Sequence, residues 1–135
     1  MIYVDTGAFL ARYLSGDQYH KEAVRLWNKL EKSGKPFGTS NGVVYETLTL
    51  LARRAGYGFA AERARNMYSS ESLTLLRMAQ EDEWAAIGFF EKYADKEVSF
   101  IDCVSFALMR RTGIEQVFTF DRHFEMAGFH IWSWV

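Results

Sequence analysis

Short, mostly apolar runs that end at an acidic residue constrain the fold of this chain more than any other feature. Residues 2–4 are apolar and meet Asp5, and residues 117–120 meet Asp121 in the same way. Such runs are typical of strands that are buried on both faces, as in parallel sheets. Between them lie segments with apolar residues at helical spacing. The pattern predicts an α/β fold with a mainly parallel central sheet sandwiched by helices.

The same periodicities give the extent of each predicted element. A chain of 135 residues with 49% apolar residues suits one domain with its own core, here residues 1–135. Gly113 is expected to end the helix before it in the left-handed conformation. The predicted strands are 2–4, 37–40, 72–78, 117–120 and 131–135, and the predicted helices are 8–14, 19–32, 43–54, 59–68, 81–93 and 100–112.

Composition excludes several classes of protein. Sixteen Lys and Arg against 17 Asp and Glu leave a net charge of -1. The chain therefore lacks the overall basic excess that by itself indicates nucleic-acid binding. The lone Cys103 cannot form an internal disulfide. Charges interrupt every apolar stretch before the roughly 20 residues that span a bilayer, and the acid at position 5 is unlike a secretory leader. We expect a cytoplasmic protein that does not enter membranes.

Two aspartates occupy positions where parallel α/β folds bind ligands, and a third lies at the start of a predicted helix. Asp5 and Asp121 each follow a predicted strand, and ligands in these folds bind beyond the carboxyl ends of strands. Each also precedes a helical segment, so capping of a helix N-terminus is an equal alternative. Asp102 lies in Ser99-Phe-Ile-Asp, and capping by Ser99 with Asp102 in the first turn explains that residue adequately.

Glu46 is the only ionisable residue in the apolar segment 43–51. Val43 three residues before it and Leu50 four residues after it place it on an apolar stripe of the predicted helix. An ionised carboxylate that is desolvated without a partner costs several kcal/mol, so Glu46 needs a cation, a hydrogen-bond donor or a metal. An ion pair with Arg12 is the structural alternative.

The four acids would repel one another if they converge on one pocket at the carboxyl end of the strands. A divalent cation relieves that repulsion, and ligands that are all oxygen favour Mg²⁺ or Mn²⁺ over zinc. Such ions lower the pKa of a bound water and hold a phosphodiester for in-line attack. The residues therefore suggest phosphodiester hydrolysis.

Four segments resemble, in order and spacing, the PIN-domain nucleases, and most closely the VapC-type ribonuclease toxins. They are Ile-Tyr-Val-Asp5-Thr, Val-Tyr-Glu46-Thr-Leu, Ser-Phe-Ile-Asp102 and Thr-Phe-Asp121-Arg-His-Phe. The resemblance covers essentially the whole chain and implies a PIN-like fold with an acidic pocket. It implies that Asp5, Glu46, Asp102 and Asp121 are catalytic and bind Mg²⁺ or Mn²⁺, which activates water to cut RNA.

The resemblance has further implications for neighbouring residues and partners. Thr6 and Thr119 match hydroxyl positions near the metal, and Ser40 and Asn41 lie where the family often keeps small polar residues. VapC-type toxins pair with a small antitoxin and commonly form homodimers, so both are expected here.

Three basic residues lie close in sequence to the acids and are candidates for contacts with RNA phosphates: Arg111, Arg122 and His123. Arg111 also suits the C-terminal end of a helix, where cations are favoured, and His123 also suits an ordinary surface position. Without the four acids the chain would have 13 acidic residues against 16 basic ones, which leaves a mildly basic surface around the pocket.

Two other functions remain open. A PIN-fold module that binds RNA or a protein without cleavage has the same sequence signature, and titration with Mn²⁺ distinguishes it. A phosphatase with Asp5 as nucleophile is weaker, because Gly7 stands where such enzymes place a second aspartate.

Overall fold

The computed structural model describes residues 1–133 and consists of short strands that alternate with helices. None of the helices in these residues has the length and apolar character that crossing a bilayer requires. The strands are β1 (Ile2–Val4), β2 (Phe37–Ser40), β3 (Leu73–Leu76), β4 (Gln116–Phe118) and β5 (His130–Ile131), and the helices are α1 (Thr6–Tyr13), α2 (His20–Ser33), α3 (Asn41–Ala55), α4 (Tyr57–Ser69), α5 (Gln80–Lys92), α6 (Phe100–Thr112) and α7 (His123–Met126), with a 3₁₀ turn at Ala94–Lys96.

The five strands form one sheet in the order β3-β2-β1-β4-β5, and all four pairings are parallel. In the centre, Tyr3 pairs with Gly38 on one side and with Val117 on the other. All strands therefore point the same way, and their carboxyl ends lie along one edge of the sheet, here called the carboxyl edge. The predicted α/β fold with a parallel central sheet is confirmed.

Helices cover both faces of this sheet. The hydroxyl of Tyr3 lies 2.8 Å from that of Ser105 on α6, so α6 packs on the face to which Tyr3 points. The ring of Phe118 faces the other way and lies 5.3 Å from that of Trp27 on α2. Burial of these large side chains on both faces explains why the strands are apolar without alternation.

The types of the predicted elements are correct, and the differences lie at their ends. Helix α3 begins two residues early because the Ser40 hydroxyl accepts a hydrogen bond from the Val43 N–H, at 3.2 Å, and caps the helix. The last strand was predicted over 131–135, but β5 is His130–Ile131. It is an edge strand that pairs with the three-residue β4 alone, which limits its length. Residues 134 and 135 lie outside the described residues.

A partly buried ion pair joins the start of α5 to the end of α6. The guanidinium of Arg111 donates to both carboxylate oxygens of Asp82, at 2.7 and 2.9 Å, and the Asp82 side chain is 1% exposed. Asp82 also accepts from the N–H of Ala79, at 2.8 Å. Burial raises the pKa of Asp82, but the hydrogen bonds from Arg111 and Ala79 outweigh it and hold the pKa below its ordinary value.

Asp82→Ala is expected to lower the free energy of unfolding by about 2 kcal/mol, because it removes three hydrogen bonds to a buried carboxylate. Glu81 is the matched control, since it lies 3.8 Å from the same guanidinium but is 72% exposed. Glu81→Ala should change the free energy by less than about 0.5 kcal/mol. Urea denaturation measures both, and equal effects would show that burial of the Asp82 pair contributes nothing.

Candidate active site

Four carboxylates meet at the carboxyl edge. Asp5 directly follows β1, Asp121 follows the neighbouring strand β4, and Asp102 lies in the first turn of α6. The negative charges of Asp102 and Asp121 raise the pKa of Asp5, and those of Asp121 and Glu46 raise the pKa of Asp102. The chain thus brings together the four acids that sequence reasoning selected, which we call the acid cluster.

Asp5 lies at the N-cap position of α1, and its carboxylate is buried. It is 5% exposed and accepts a hydrogen bond from the Thr119 hydroxyl, at 2.9 Å. Asp5 occupies the N-cap position that the sequence allowed, but its side chain makes no capping hydrogen bond, so capping does not account for the carboxylate. Burial, followed by the charge of Asp102, raises the pKa of Asp5 to about 8. The metal-free site therefore disfavours the ionised form of Asp5.

Asp102 shows a similar shift in a more open position. Its backbone N–H donates to the Ser99 hydroxyl, at 3.1 Å, so Ser99 caps α6 as predicted. The Asp102 side chain is half-buried. Burial, followed by the charge of Asp121, raises its pKa to about 6 although hydrogen bonding to Ser99 lowers it. The predicted capping by Ser99 therefore forms, and the Asp102 carboxylate in addition faces the charges of Asp121 and Glu46.

Thr119 and the backbone of α7 hold Asp121. The Thr119 hydroxyl donates to Asp5 and accepts from the N–H of Asp121, at 2.9 Å, and so links the two acids. Asp121 Oδ1 accepts from the N–H of His123, also at 2.9 Å, a local contact at the start of α7, although the N-cap residue of that helix is Arg122. His123 Nδ1 lies 2.9 Å from the same oxygen but is not oriented to form a hydrogen bond.

Glu46 lies in the second turn of α3 and faces the cluster from the side. Glu46 is half-buried. Because water reaches part of this residue, it does not need the buried partner that the apolar residues around it in the sequence had suggested. The proposed ion pair with Arg12 is wrong, because Arg12 lies 3.0 Å from Glu31 and over the ring of Trp27. Among residues 1–133, no Lys or Arg forms an ion pair with Glu46 or with the three aspartates.

The geometry of the cluster suits a divalent cation. One ligand atom each of Asp102, Asp121 and His123 can be chosen so that all lie within 4.8 Å of one another. The hydroxyl of Thr6, at the start of α1, is buried and has no hydrogen-bond partner in the described residues. Carboxylates with raised pKa values and no ion pair to a Lys or Arg of the described residues leave negative charge uncompensated, and a donor set dominated by oxygen fits Mg²⁺ or Mn²⁺.

Ser40 and Asn41 both lie at the carboxyl edge, but hydrogen bonds within the fold use them. Ser40 is buried and accepts from the Tyr3 hydroxyl, at 2.8 Å, in addition to capping α3. Asn41 Oδ1 accepts from the N–H of Met78, at 2.8 Å, and so ties α3 to the segment after β3. These contacts position the Glu46 helix against the sheet.

The candidate RNA contacts separate into two groups. Arg122 directly follows Asp121, and its side chain is 85% exposed and lies 3.5 Å from Glu125 in a surface ion pair that leaves it accessible to a phosphate. Arg111 lies at the opposite end of α6 from Asp102 and is held by Asp82. Arg111 is therefore better explained as a cation at the C-terminal end of a helix than as a contact with RNA.

Comparison with known proteins now identifies the family. The family model of the PIN domain matches residues 2–129. This chain belongs to the PIN-domain family. It is 38% identical over 135 residues, 96% of this chain and 95% of the relative, to the "23S rRNA-specific endonuclease VapC20" of two strains of Mycobacterium tuberculosis.

Solved structures agree with the assignment of a PIN domain. One is the crystal structure of the Mycobacterium tuberculosis VapC20, which is described as a sarcin-ricin loop cleaving toxin. It matches this chain with a TM-score of 0.85 at 36% identity, and the match covers 96% of each chain. A toxin-antitoxin complex from Klebsiella pneumoniae matches with a TM-score of 0.62 at 15% identity, over 90% of this chain and 88% of that one. At this identity the match supports only the similarity of the fold. The predicted family and class of activity, a VapC-type endoribonuclease, are confirmed.

The sequence did not reveal how close the ring of His123 lies to Asp121. His123 was a candidate RNA contact or an ordinary surface residue, but it is half-buried with its ring against Asp121. Its position two residues after a strand-end aspartate was the available signal. The direction of its ring depends on the turn into α7, which has no clear periodicity in the sequence.

Proposed function

We propose that this chain is a toxin endoribonuclease that hydrolyses one phosphodiester in the sarcin-ricin loop of 23S rRNA. The observation that carries the proposal is the acid cluster at the carboxyl edge, with its raised pKa values at Asp5 and Asp102. The 38% identity to an endonuclease specific for 23S rRNA over almost the whole of both chains supports the choice of substrate.

In this proposal Asp5, Glu46, Asp102 and Asp121 are catalytic and hold Mg²⁺ or Mn²⁺. A bound cation supplies charge compensation, orients the scissile phosphate and lowers the pKa of the attacking water. Thr119 fixes the Asp5 carboxylate, and the N–H of His123 fixes that of Asp121, so the ligands are arranged before metal binds. Thr6, Ser40 and Asn41 complete the polar surroundings.

Arg122 and His123 are the proposed contacts with RNA phosphates. Both follow Asp121 at the mouth of the cluster, and the Arg122 side chain is almost fully exposed. Phosphate contacts of this kind position RNA without reading its sequence. Arg111 is left out, because its guanidinium is already bound by Asp82.

The proposed partners follow from the toxin assignment and from the surface. We propose a cognate antitoxin that keeps the enzyme inactive in the cytoplasm, where ribosomes are its target, because a related protein is described as a toxin. We also propose a homodimer, whose mass ultracentrifugation would measure. Its support is a set of exposed apolar side chains on α5 and the start of α6, which are Trp84, Ile87, Phe90 and Phe100.

Incubation of the purified chain with 23S rRNA, and with a synthetic sarcin-ricin hairpin, tests the function. We expect a single cut in the loop in the presence of Mg²⁺ or Mn²⁺, mapped by primer extension, and no cut with excess EDTA. A scrambled hairpin of equal length is the control. Failure to cleave either substrate, together with no saturable heat on calorimetric titration with Mn²⁺, would favour a PIN-fold binding module instead.

A further inference from the structure

Two aromatic rings that have no role in the proposed chemistry lie face to face, and one of them directly precedes Asp121 in the sequence. Tyr19 lies just before α2 and Phe120 lies two residues after β4. Their centroids are 4.7 Å apart and their planes differ by 1°. The Tyr19 side of the pair is open, since this residue is 42% exposed. We call the pair the aromatic platform.

The platform lies at the edge of the sheet where the scissile phosphate must approach. Phe120 stands between Thr119, which donates to Asp5, and Asp121, which belongs to the acid cluster. The platform and the cluster are thus attached to the same short segment after β4. In a complex with RNA bound at the cluster, a nucleotide next to the cleaved phosphodiester would lie near this segment.

Packing and hydrogen bonding hold the platform rigid. Phe120 contacts Phe118 edge to face, with centroids 6.0 Å apart, and Phe118 is fully buried against Trp27. The N–H of Tyr19 donates to Asp17 Oδ1, at 2.8 Å, which fixes the turn that presents the ring. A surface that is already ordered loses little conformational entropy when it binds a ligand.

Ordinary packing does not explain the exposed ring of Tyr19. In residues 1–133 the other exposed tyrosines, Tyr45, Tyr57 and Tyr68, do not stack on another ring. The Tyr19 hydroxyl also has no hydrogen-bond partner in that part of the chain. An exposed flat ring supported from behind is the arrangement by which proteins stack unpaired bases of RNA.

We propose that the aromatic platform stacks an unpaired base of the RNA next to the cleaved phosphodiester, and so sets which bond enters the acid cluster. The inference rests on the proposed function, since it needs RNA as the substrate. Arg122 follows Phe120 by two residues, and its exposed guanidinium adds attraction for the neighbouring phosphate. The ligand chemistry is a flat base freed from helical stacking.

Binding of a sarcin-ricin hairpin tests the proposal in an Asp102→Asn background, where RNA is bound without being cut. A 2-aminopurine placed in turn at each loop position reports stacking by its quenched fluorescence. In that background Tyr19→Ala should weaken the affinity at least about fivefold and restore fluorescence at one position. Tyr19→Phe should bind within about twofold of the parent. Tyr19→Leu keeps apolar contact with Phe120 and should bind as weakly as Tyr19→Ala.

Tyr68→Ala is the matched control, because Tyr68 is 48% exposed on α4, just before the amino end of β3. It should leave both readings unchanged. Unchanged affinity and quenching in Tyr19→Ala and Tyr19→Leu would overturn the platform and leave Tyr19 as a surface for a protein partner. Equal losses in Tyr19→Phe and Tyr19→Ala would also overturn stacking, since the ring is retained. A parent that binds no RNA would overturn the proposed function, and the platform with it.

Discussion

Asp102→Asn is expected to reduce cleavage of the sarcin-ricin hairpin by about three orders of magnitude. The substitution removes the charge of a proposed metal ligand at the centre of the acid cluster, next to Asp121 and Glu46. It keeps the volume of the side chain and the N–H that donates to Ser99. The variant should therefore fold normally, and initial rates with Mg²⁺ or Mn²⁺ measure the effect.

Asp95→Asn is the control for this loss. Asp95 lies in the 3₁₀ turn shortly before α6, and its side chain is 77% exposed with Lys96 3.8 Å away. It carries the same charge and undergoes the same chemical change, but it lies outside the acid cluster. Its rate should match that of the wild-type chain. Full activity of Asp102→Asn would remove Asp102 from the catalytic assignment.

The second large effect concerns stability without metal. Asp5 has a pKa of about 8 in the folded chain against 3.8 for an ordinary aspartate, because of burial and then the charge of Asp102. Because the folded chain holds this proton more tightly than the unfolded chain, the contribution of Asp5 to the free energy of unfolding is highest below about pH 4. It falls as the pH rises from about 4 to about 8. Asp5→Asn removes this loss. Without metal at pH 8 we expect its Tm to exceed that of wild type by at least about 5 °C.

The same measurement has two internal checks. The gain should shrink toward pH 5, where Asp5 is already protonated in the wild-type chain, and Asp95→Asn should show no gain at either pH. Saturating Mg²⁺ should stabilise wild type more than Asp5→Asn, since the cation compensates charges that the variant no longer has. A lower Tm for Asp5→Asn without metal would mean that the hydrogen bond from Thr119 requires an ionised Asp5.

The acid cluster could be predicted from the sequence because its signals are local. Asp5 and Asp121 follow apolar runs, and parallel strands place such positions along one edge. Glu46 could be recognised because all of its neighbours in the sequence lack charge. The structure shows it half-exposed, so the spacing of the apolar residues around it predicted more burial than there is. The capping alternatives were also local, and the folded chain shows what each carboxylate does: Asp5 is the N-cap residue of α1 but its carboxylate binds Thr119, whereas the Asp121 carboxylate accepts from the His123 N–H at the start of α7.

The sequence by itself determined the alternation of strands and helices, the parallel sheet and the identity of the four acids, because periodicity and strand ends operate over a few residues. Only the tertiary structure decided which distant side chains meet. Strand order places β4 beside β1, so Thr119 reaches Asp5 across 114 positions of the chain. Helix packing commits Arg111 to Asp82, and the approach to α2 lays Tyr19 on Phe120. Such pairs depend on topology and packing, which no local pattern records.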